Sequence, residues 1–452
     1  MGSNNQGNLS TQLNNEINRD TFDSKVGFIL ACIGSAVGMG NIWMFPYRVG
    51  QLGGAAFLIP YFIFVIVLGF TGVIGEMSFG RAMGTGPLGA FKKALERRGK
   101  KHGDLIGLIP VIGSLGVAIG YAVVVGWILR FTVGSITGSL VKSQDSGAYF
   151  GAIAGNMGSL SWHMMGLALT FIIMLAGVSN GIEKVNKIMM PAFFILFLIL
   201  AIRVAALPGA MEGYKYLFIP RWEFLGNPKT WVYALGQAFF SLSLAGSGTV
   251  VYGSYLKKSE DIVESAKYVA VFDTIAAMLA ALVIIPSVFA FKMDPAAGPP
   301  LMFITMPSVF KQMPMGQLFS VIFFIAVLFA GVTSLVNLFE TPIEALQARF
   351  NLSRKVSVAV IALIGAGAGI ILEDGNKLSV WMDVISIYVV PVGALLAGIM
   401  FFWVCGPKFA REQVQSGSKK ELGSWFEPMT RYIFCGLTII VYIMGIFYGG
   451  IG

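Results

Sequence analysis

Long apolar stretches separated by short polar segments dominate the chain. Eleven of them are long enough to cross the hydrocarbon core as a helix, which needs about 20 mainly apolar residues. We number them spans one to eleven. Because lipid offers backbone groups no partner and β-barrel alternation is absent, the pattern predicts an all-α polytopic membrane protein. The spans lie near 24–48, 54–79, 105–136, 162–180, 187–207, 230–255, 263–291, 316–346, 354–372, 378–406 and 429–450.

Basic residues gather in every second connecting segment. The segment between spans two and three holds seven Lys and Arg, whereas 137–161 holds only Lys142. By the positive-inside rule the N-terminus is cytoplasmic, and eleven spans then place the C-terminus outside. Residues 1–20 are polar and without a cleavable signal, which predicts a flexible cytoplasmic tail. We expect 208–229 to be an extracellular connection and 407–428 a cytoplasmic loop.

Composition excludes several classes of protein. The chain is 56% hydrophobic and 12% charged, whereas a soluble protein carries roughly a quarter charged residues. Its net charge of +9 fits cytoplasmic loops, and no basic patch interleaved with aromatics indicates nucleic acid. Three cysteines, two histidines and the lack of HExxH or Walker A motifs argue against an enzyme. No obligate protein partner is evident.

Spans one and six contain interior residues that disfavour a continuous helix. Span one contains GSAVGMGN at 34–41, and span six contains LAGSG at 244–248. Each interior Gly costs a helix roughly 1 kcal/mol relative to Ala. Close packing through small residues is one explanation, and Gly34 and Gly38 fit a GxxxG contact. Because the two spans hold corresponding positions in two five-helix halves, we favour unwinding at a midplane binding site.

Several motifs resemble the neurotransmitter:sodium symporter family. GSAVGMGNIWMFPY, GGAAFLIPY and GEMSFGR match its opening, and FFSLSL and FAGVTS match spans six and eight. The resemblance implies the LeuT fold: two inverted five-helix repeats, 21–207 and 230–406, plus an eleventh helix at 429–452. It implies a sodium-coupled amino-acid symporter in the lipid bilayer of a bacterial plasma membrane. A proton-coupled transporter of the same fold is the alternative, and an ion channel a weaker one.

The resemblance implies two sodium sites built from oxygen ligands, which suit a hard cation. The first comprises the Ala36 carbonyl, Asn41, Ser241, Asp273 and the substrate carboxylate. The second comprises the carbonyls of Gly34, Val37 and Ala330 and the hydroxyls of Thr333 and Ser334. Outside this context, such hydroxyls more often bond to a carbonyl one turn back.

Asp273 departs from the family pattern, since LeuT-like relatives have Asn there. An acid inside the membrane is costly and indicates function by default. We expect its charge to balance sodium, so that chloride is not needed. Chloride-dependent members place the anion near positions matching Tyr61, Gln237 and Ser241. The alternative is an acid paired structurally with another helix.

The resemblance also implies the cargo. Backbone N–H groups near Met39 and Gly40 and the Tyr121 hydroxyl are the expected carboxylate partners. Monoamine-transporting members carry Asp where this chain has Gly38, which favours an amino acid. The pocket has no charge, and Gly246 stands where a leucine-transporting relative has Phe, which leaves room for tryptophan. The expected substrate residues are Ala36, Met39, Gly40, Val117, Tyr121, Phe240, Ser241, Ser243, Gly246, Ser334 and Leu338.

Both gates depart from the family pattern. The inner gate resembles the set Arg19, Phe22, Ser254 and Tyr255, but the position of its usual acid is Ala348. As an alternative, Arg19 is only a positive-inside anchor. At the outer gate Met44 replaces the usual Arg, which leaves Asp383 without a partner.

Spans five and two carry further residues that could take part in transport. Gly181 and Pro191 match the family's Gly-x9-Pro element, so the cytoplasmic end of span five is expected to unwind and hydrate the second sodium site. A plain loop start and proline kink is the alternative. For Glu76 we prefer hydrogen bonding to backbone freed in span one over a proton relay.

Overall fold

A computed structural model describes residues 21–244, 247–296, 300–418 and 420–450. Arg19, Gly246 and the predicted tail therefore lie outside the described residues. Within these ranges the regular elements are helices, and no strand occurs. Helices long and apolar enough to cross a membrane comprise one bent pair, Lys25–Ala36 with Gly40–Gln51, and eight others: Ala55–Met83, Gly103–Ile136, Val178–Ala205, Ile262–Ala290, Gly316–Phe350, Arg354–Ile371, Gly375–Val404 and Phe426–Tyr448.

The remaining two spans are shorter or divided. Span four is the helix Leu160–Leu175, and span six consists of Pro228–Ser241 and Gly248–Ser254. The all-α polytopic fold is therefore confirmed. Short helices occupy the connections: Pro87–Glu96, Ser139–Lys142, Ser146–Ala154, Ala210–Phe218, Trp222–Gly226, Leu301–Thr305, Met306–Gln312 and Pro407–Gln415.

The predicted boundary between spans four and five is wrong. Span four ends at Leu175 and span five begins at Val178, within the range assigned to span four. Gly177 separates them with a φ of 88°, which glycine adopts without steric cost. Span five then opens with a π-helical turn, Val178–Glu183, a form that often occurs at functional sites.

Spans three and eight form the centre of the protein. They run antiparallel and are joined by three hydrogen bonds spaced along both helices. Ser135 and Ser320 lie 2.7 Å apart through their Oγ atoms, Thr132 Oγ1 donates to the Phe324 carbonyl (3.2 Å), and Ser114 Oγ donates to the Leu338 carbonyl (2.8 Å). Both helices are mostly buried, whereas spans five and nine are largely exposed on their outer sides. Spans three and eight therefore provide a fixed frame beside spans one and six.

A buried polar network joins spans three and four to the end of span nine. Nδ1 of His163 lies 2.8 Å from Oε1 of Glu373, and Oε2 accepts from Ser159 Oγ (2.5 Å). Ser159 Oγ in turn accepts from Nε1 of Trp127 at 3.0 Å. His163 lies inside span four, and its side chain is inaccessible. The network links spans three, four and nine through side chains, because backbone hydrogen bonds within a helix do not join it to its neighbours.

We expect Glu373→Ala to destabilise the protein. The change leaves the buried side chains of His163 and Ser159 without their acceptor, which costs about 1–3 kcal/mol for each such group. Thermal unfolding of the purified protein in detergent measures this loss. Glu212→Ala breaks an exposed pair with Lys215 and is the control. Equal midpoints for the two variants would show that the network contributes nothing to stability.

Candidate ion and substrate site

Span one is interrupted near its middle. Its first half ends at Ala36, and Val37 is extended (φ −72°, ψ 100°). The second half begins with the π-helical turn Gly40–Met44, and the two halves are bent by 51°. The N–H of Gly38 donates to Oδ1 of Asn41 at 3.1 Å. A side chain thus replaces part of the missing backbone hydrogen bonding.

Span six is interrupted beside it. Ser243 and Ser247 have φ values of 55° and 54°, which cost a non-glycine residue roughly 1–3 kcal/mol. Ser243 Oγ donates to the carbonyl of Ser35 at 2.8 Å, and Nε2 of Gln237 donates to the carbonyl of Gly40 at 2.8 Å. Side chains of span six therefore satisfy backbone carbonyls at the break of span one. The prediction that spans one and six are broken is confirmed.

Three expected ligands of the first sodium site are in mutual contact. Asn41 Nδ2 donates to Oδ1 of Asp273 and Ser241 Oγ donates to Oδ2, both at 2.7 Å. All three side chains are fully buried. No Lys, Arg or His in the described ranges pairs with Asp273, so a bound cation would balance a charge that is costly to bury alone. Ala36, the other expected protein ligand, lies at the break of span one.

The positions that hold chloride in other family members lie around the same carboxylate. Tyr61 Oη is 3.4 Å from Ser241 Oγ, and Ser241 is the residue that donates to Asp273. Gln237 stands one turn before Ser241 on span six, and its Oε1 is buried without a hydrogen bond in the part of the chain described. A protein carboxylate thus occupies the neighbourhood where an anion is expected in those members.

The expected second sodium site lies between spans one and eight. A β-carbon placed on Gly34 would lie 3.0 Å from Cβ of Thr333, so glycine at this position lets spans one and eight approach closely. Thr333 Oγ1 donates to the carbonyls of Phe329 (2.9 Å) and Ala330 (3.2 Å). This is the bond to a carbonyl one turn back that such hydroxyls commonly make. The lone pairs of this hydroxyl are still available to a cation. Ser334 Oγ is 3.3 Å from the carbonyl of Ser35. Val37 adjoins this region at the break of span one.

A cavity of about 700 Å³ opens between the two breaks. Tyr121 Oη accepts from the N–H of Met39 at 2.9 Å on its wall. Ser241 does not line the cavity but lies behind it in the first ion site, and Gly246 is outside the described residues. The expected substrate residues on the cavity wall are Ala36, Met39, Gly40, Val117, Tyr121, Phe240, Ser243, Ser334 and Leu338.

Ser35 and Asn337 are polar residues of the cavity wall that were not predicted. Ser35 contributes a carbonyl that accepts from both Ser243 and Ser334. Asn337 lies on the wall one turn after Ser334. Asn337 could have been found from its spacing of three residues from Ser334, which places both on one helix face. Ser35 could have been found because it directly precedes Ala36.

Aromatic packing closes one end of the site. Phe22 is 6% exposed and its ring lies 5.5 Å from that of Tyr252 and 6.3 Å from that of Tyr255. Ser254 is buried beside Tyr255. Tyr255 Oη donates to Oε1 of Glu340 at 2.8 Å, and Arg354 pairs with the same carboxylate at 2.8 Å. An acid, Glu340, is therefore present at this gate, about two helical turns before Ala348 on span eight.

The opposite end of the cavity reaches the surface. Its wall continues past Met44 to Asp383 and the exposed Asn376. Asp383 is exposed, and no ion pair with it occurs in the described part of the chain. The expected loss of the outer ion pair thus agrees with the geometry.

Gly181, Pro191 and Glu76 lie on helices around the site. Gly181 belongs to the π-helical turn of span five and Pro191 lies inside the same span, which is wound in this state. Glu76 accepts a hydrogen bond from Thr249 of span six, rather than from backbone of span one as expected. Its carboxylate therefore supports the other broken span.

Comparisons with known proteins agree with this geometry. The family model described as the sodium:neurotransmitter symporter family matches residues 19–152 and 151–448. An uncharacterised sodium-dependent transporter of Bacillus subtilis, YhdH, is 36% identical over 93% of this chain and 96% of its own length. The mouse sodium-dependent neutral amino acid transporter B(0)AT3 is 33% identical over 61% of this chain and 49% of its own length.

A solved structure shares the fold. The crystal structure of MhsT in complex with L-phenylalanine matches with a TM-score of 0.85 and 32% identity, over 94% of this chain and all of that one. The broken spans and the cavity between them agree with the family that these matches indicate. The chain belongs to the sodium:neurotransmitter symporter family, and it is a sodium-coupled membrane transporter with the LeuT fold and not an enzyme.

Proposed function

We propose that this protein imports hydrophobic L-amino acids, aliphatic and aromatic including tryptophan, by sodium-coupled symport with two sodium sites. The observation that carries the proposal is the meeting of an apolar cavity with the buried carboxylate of Asp273 at the junction of two broken spans. Two relatives support the choice of cargo, since MhsT was solved with L-phenylalanine and B(0)AT3 is named for neutral amino acids.

The break of span one suits the carboxylate of an amino acid. The N–H of Met39 faces the cavity wall, where Tyr121 Oη accepts from it, and a half-helix N-terminus attracts negative charge. A β-carbon on Gly38 would lie 2.8 Å from Tyr121 Oη and 2.9 Å from Ser334 Oγ. A larger residue would displace these two hydroxyls, and with glycine here the protein offers no acid at this position for the amine of a monoamine.

The wall around the expected cargo side chain is uncharged. Val117, Phe240 and Leu338 supply apolar surface, and Ser243 and Ser334 supply hydroxyls. Among the described wall residues the acids are Asp374 and Asp383, toward the end that reaches the surface. A charged cargo side chain would lose its hydration without a partner, which favours hydrophobic amino acids.

The closed and open ends define one state of an alternating-access cycle. The Phe22 and Tyr255 end is packed shut, and the Met44 and Asp383 end is open. With the N-terminus in the cytoplasm and the C-terminus outside, this is the outward-facing state. We place the protein in a bacterial plasma membrane, where the sodium gradient drives uptake.

A proton-coupled transporter of the same fold is the second candidate. A proton bound to Asp273 would neutralise its charge, so that no sodium ion would be needed at the first site. Replacing sodium with choline while imposing a proton gradient separates the two. Accumulation under those conditions favours the proton-coupled candidate. An ion channel would show neither saturation nor accumulation in proteoliposomes.

Sodium-dependent binding tests the proposal at both ion sites. Asp273→Asn removes the charge of the first site, and Thr333→Ala removes a ligand of the second. Each loss of a charge-assisted contact is worth about 1.5–3 kcal/mol, which raises the sodium midpoint for tryptophan binding roughly ten- to a hundredfold. Thr333→Ser keeps the hydroxyl and is the matched control. Sodium-independent binding by the unmodified protein would reject the proposal.

Uptake should not require chloride. Because Asp273 supplies a fixed negative charge beside the first sodium site, replacing chloride with gluconate is expected to leave tryptophan uptake unchanged. Asp273→Asn removes that charge, so uptake by this variant should be stimulated by chloride. Strict chloride dependence of the unmodified protein would contradict this role of Asp273.

Gly246→Phe should narrow the cargo range. A ring at this position would fill the space that the family resemblance reserves for an aromatic side chain. We expect tryptophan uptake to fall more than valine uptake, measured with both labelled substrates on the same proteoliposomes. Gly246→Ala is the matched control. An equal loss for both substrates would place Gly246 outside the pocket.

A further inference from the structure

A buried asparagine on span five has no role in the sites described above. Asn186 is 1% exposed and lies between Gly181 and Pro191. Its Nδ2 donates to the carbonyl of Ile182 at 2.8 Å, which determines the orientation of the amide. Oδ1 therefore points away from span five, and it is buried without a hydrogen bond in the described structure. Leaving such a group unpaired costs about 1–3 kcal/mol, so it calls for an explanation.

Oδ1 of Asn186 lies against Gly34, a residue of the expected second sodium site. A β-carbon placed on Gly34 would overlap this oxygen, and it would also lie 3.0 Å from Cβ of Thr333. The amide oxygen thus contacts the Cα of Gly34, next to Thr333. A Cα–H···O contact alone is a weak interaction, and it does not explain why an amide rather than an apolar side chain occupies this position.

A second oxygen stands one turn nearer the closed end. Glu183 accepts from the N–H of Asp23 and from Ser24 Oγ, both at 2.7 Å, and from Lys187 Nζ at 2.7 Å. Its side chain is 1% exposed, whereas that of Lys187 is 40% exposed. A β-carbon on Gly27 would overlap the Glu183 carboxylate. Glu183 therefore lies between the interior and the surface.

The two contacts form a line along the interface of spans one and five. Gly27 and Gly34 are seven residues apart, which is two helical turns and places them on one face of span one. Glu183 and Asn186 are three residues apart, and they face those glycines in the same order. The line leads from the Thr333 region to the end that Phe22 closes.

We infer that Asn186 is a relay ligand for sodium that leaves the second site for the cytoplasm, with the Glu183 carboxylate as the next oxygen. The inference rests on the proposed function. A single neutral amide oxygen holds a hard cation weakly, which suits a transient position. The Nδ2 bond to Ile182 lies within the stretch of span five that is expected to unwind, so release of that turn frees Asn186 to follow the ion.

Two transport modes separate a relay from a structural contact. Net uptake into sodium-free proteoliposomes requires sodium to leave the second site in each cycle. Amino-acid exchange with saturating sodium on both sides does not require that site to empty. We expect Asn186→Ala to slow net tryptophan uptake at least about tenfold, the effect of roughly 1.4 kcal/mol on a barrier. Exchange should stay within about twofold of the unmodified rate.

Matched variants sharpen the test. Asn180→Ala removes an exposed asparagine of the same span, which bonds to Lys184, and should leave both modes unchanged. Asn186→Ser restores an oxygen and should recover net uptake. Asn186→Leu removes the oxygen with a side chain of similar size, and it replaces the alanine variant if that protein does not fold.

The outcomes are distinguishable. Net uptake by Asn186→Ala equal to that of Asn180→Ala overturns the relay. An equal loss of net uptake and exchange also overturns it, because a packing defect impairs both. If the unmodified protein accumulates tryptophan without sodium, the proposed function itself fails, whatever the variants do.

Discussion

Backbone polar groups inside a membrane must find partners within the protein, and the rest of this structure depends on how two interrupted helices meet that requirement. At the break of span one the carbonyl of Ser35 accepts from Ser243 of span six, and the carbonyl of Gly40 accepts from Gln237. Side chains of span six thus satisfy backbone carbonyls of span one inside the membrane. The meeting of these spans also brings Asn41, Ser241 and Asp273 into contact.

A fixed frame keeps this junction in place. Spans three and eight are joined along their lengths by side-chain hydrogen bonds, and the network of Trp127, Ser159, His163 and Glu373 adds spans four and nine. Span five lies at the edge, with a π-helical turn and contacts to span one through Glu183 and Asn186. Span five is thus attached to span one by polar side chains, whose contacts can be exchanged for water or ions.

The fold was predictable because the length of an apolar stretch is set by the bilayer, and the breaks were predictable from their glycines. The boundary between spans four and five was not, since Gly177 turns the chain within an otherwise helical pattern. The partner of Glu76 depends on which broken span packs beside it, and the sequence does not encode that locally. Asn186 carried no sequence signal, because its oxygen acquires meaning only from its contact with Gly34.

Much of the site was accessible only through the family resemblance. Spacing alone does not bring Asn41 and Asp273 together across more than two hundred residues, and it does not separate Ser241, behind the wall, from Phe240, on it. Thr333 shows the remaining limit. Its hydroxyl donates to its own helix in this state. Coordination of an ion would therefore use its lone pairs, whose direction no sequence pattern reveals.

The central claim is that ions complete the junction of the two broken spans. A high-resolution structure of the protein with sodium and tryptophan tests it most directly. We predict one ion among Asn41, Ser241 and Asp273 and a second between Gly34 and Thr333, with the tryptophan carboxylate beside the first. Bound tryptophan without an ion at either position would contradict the account.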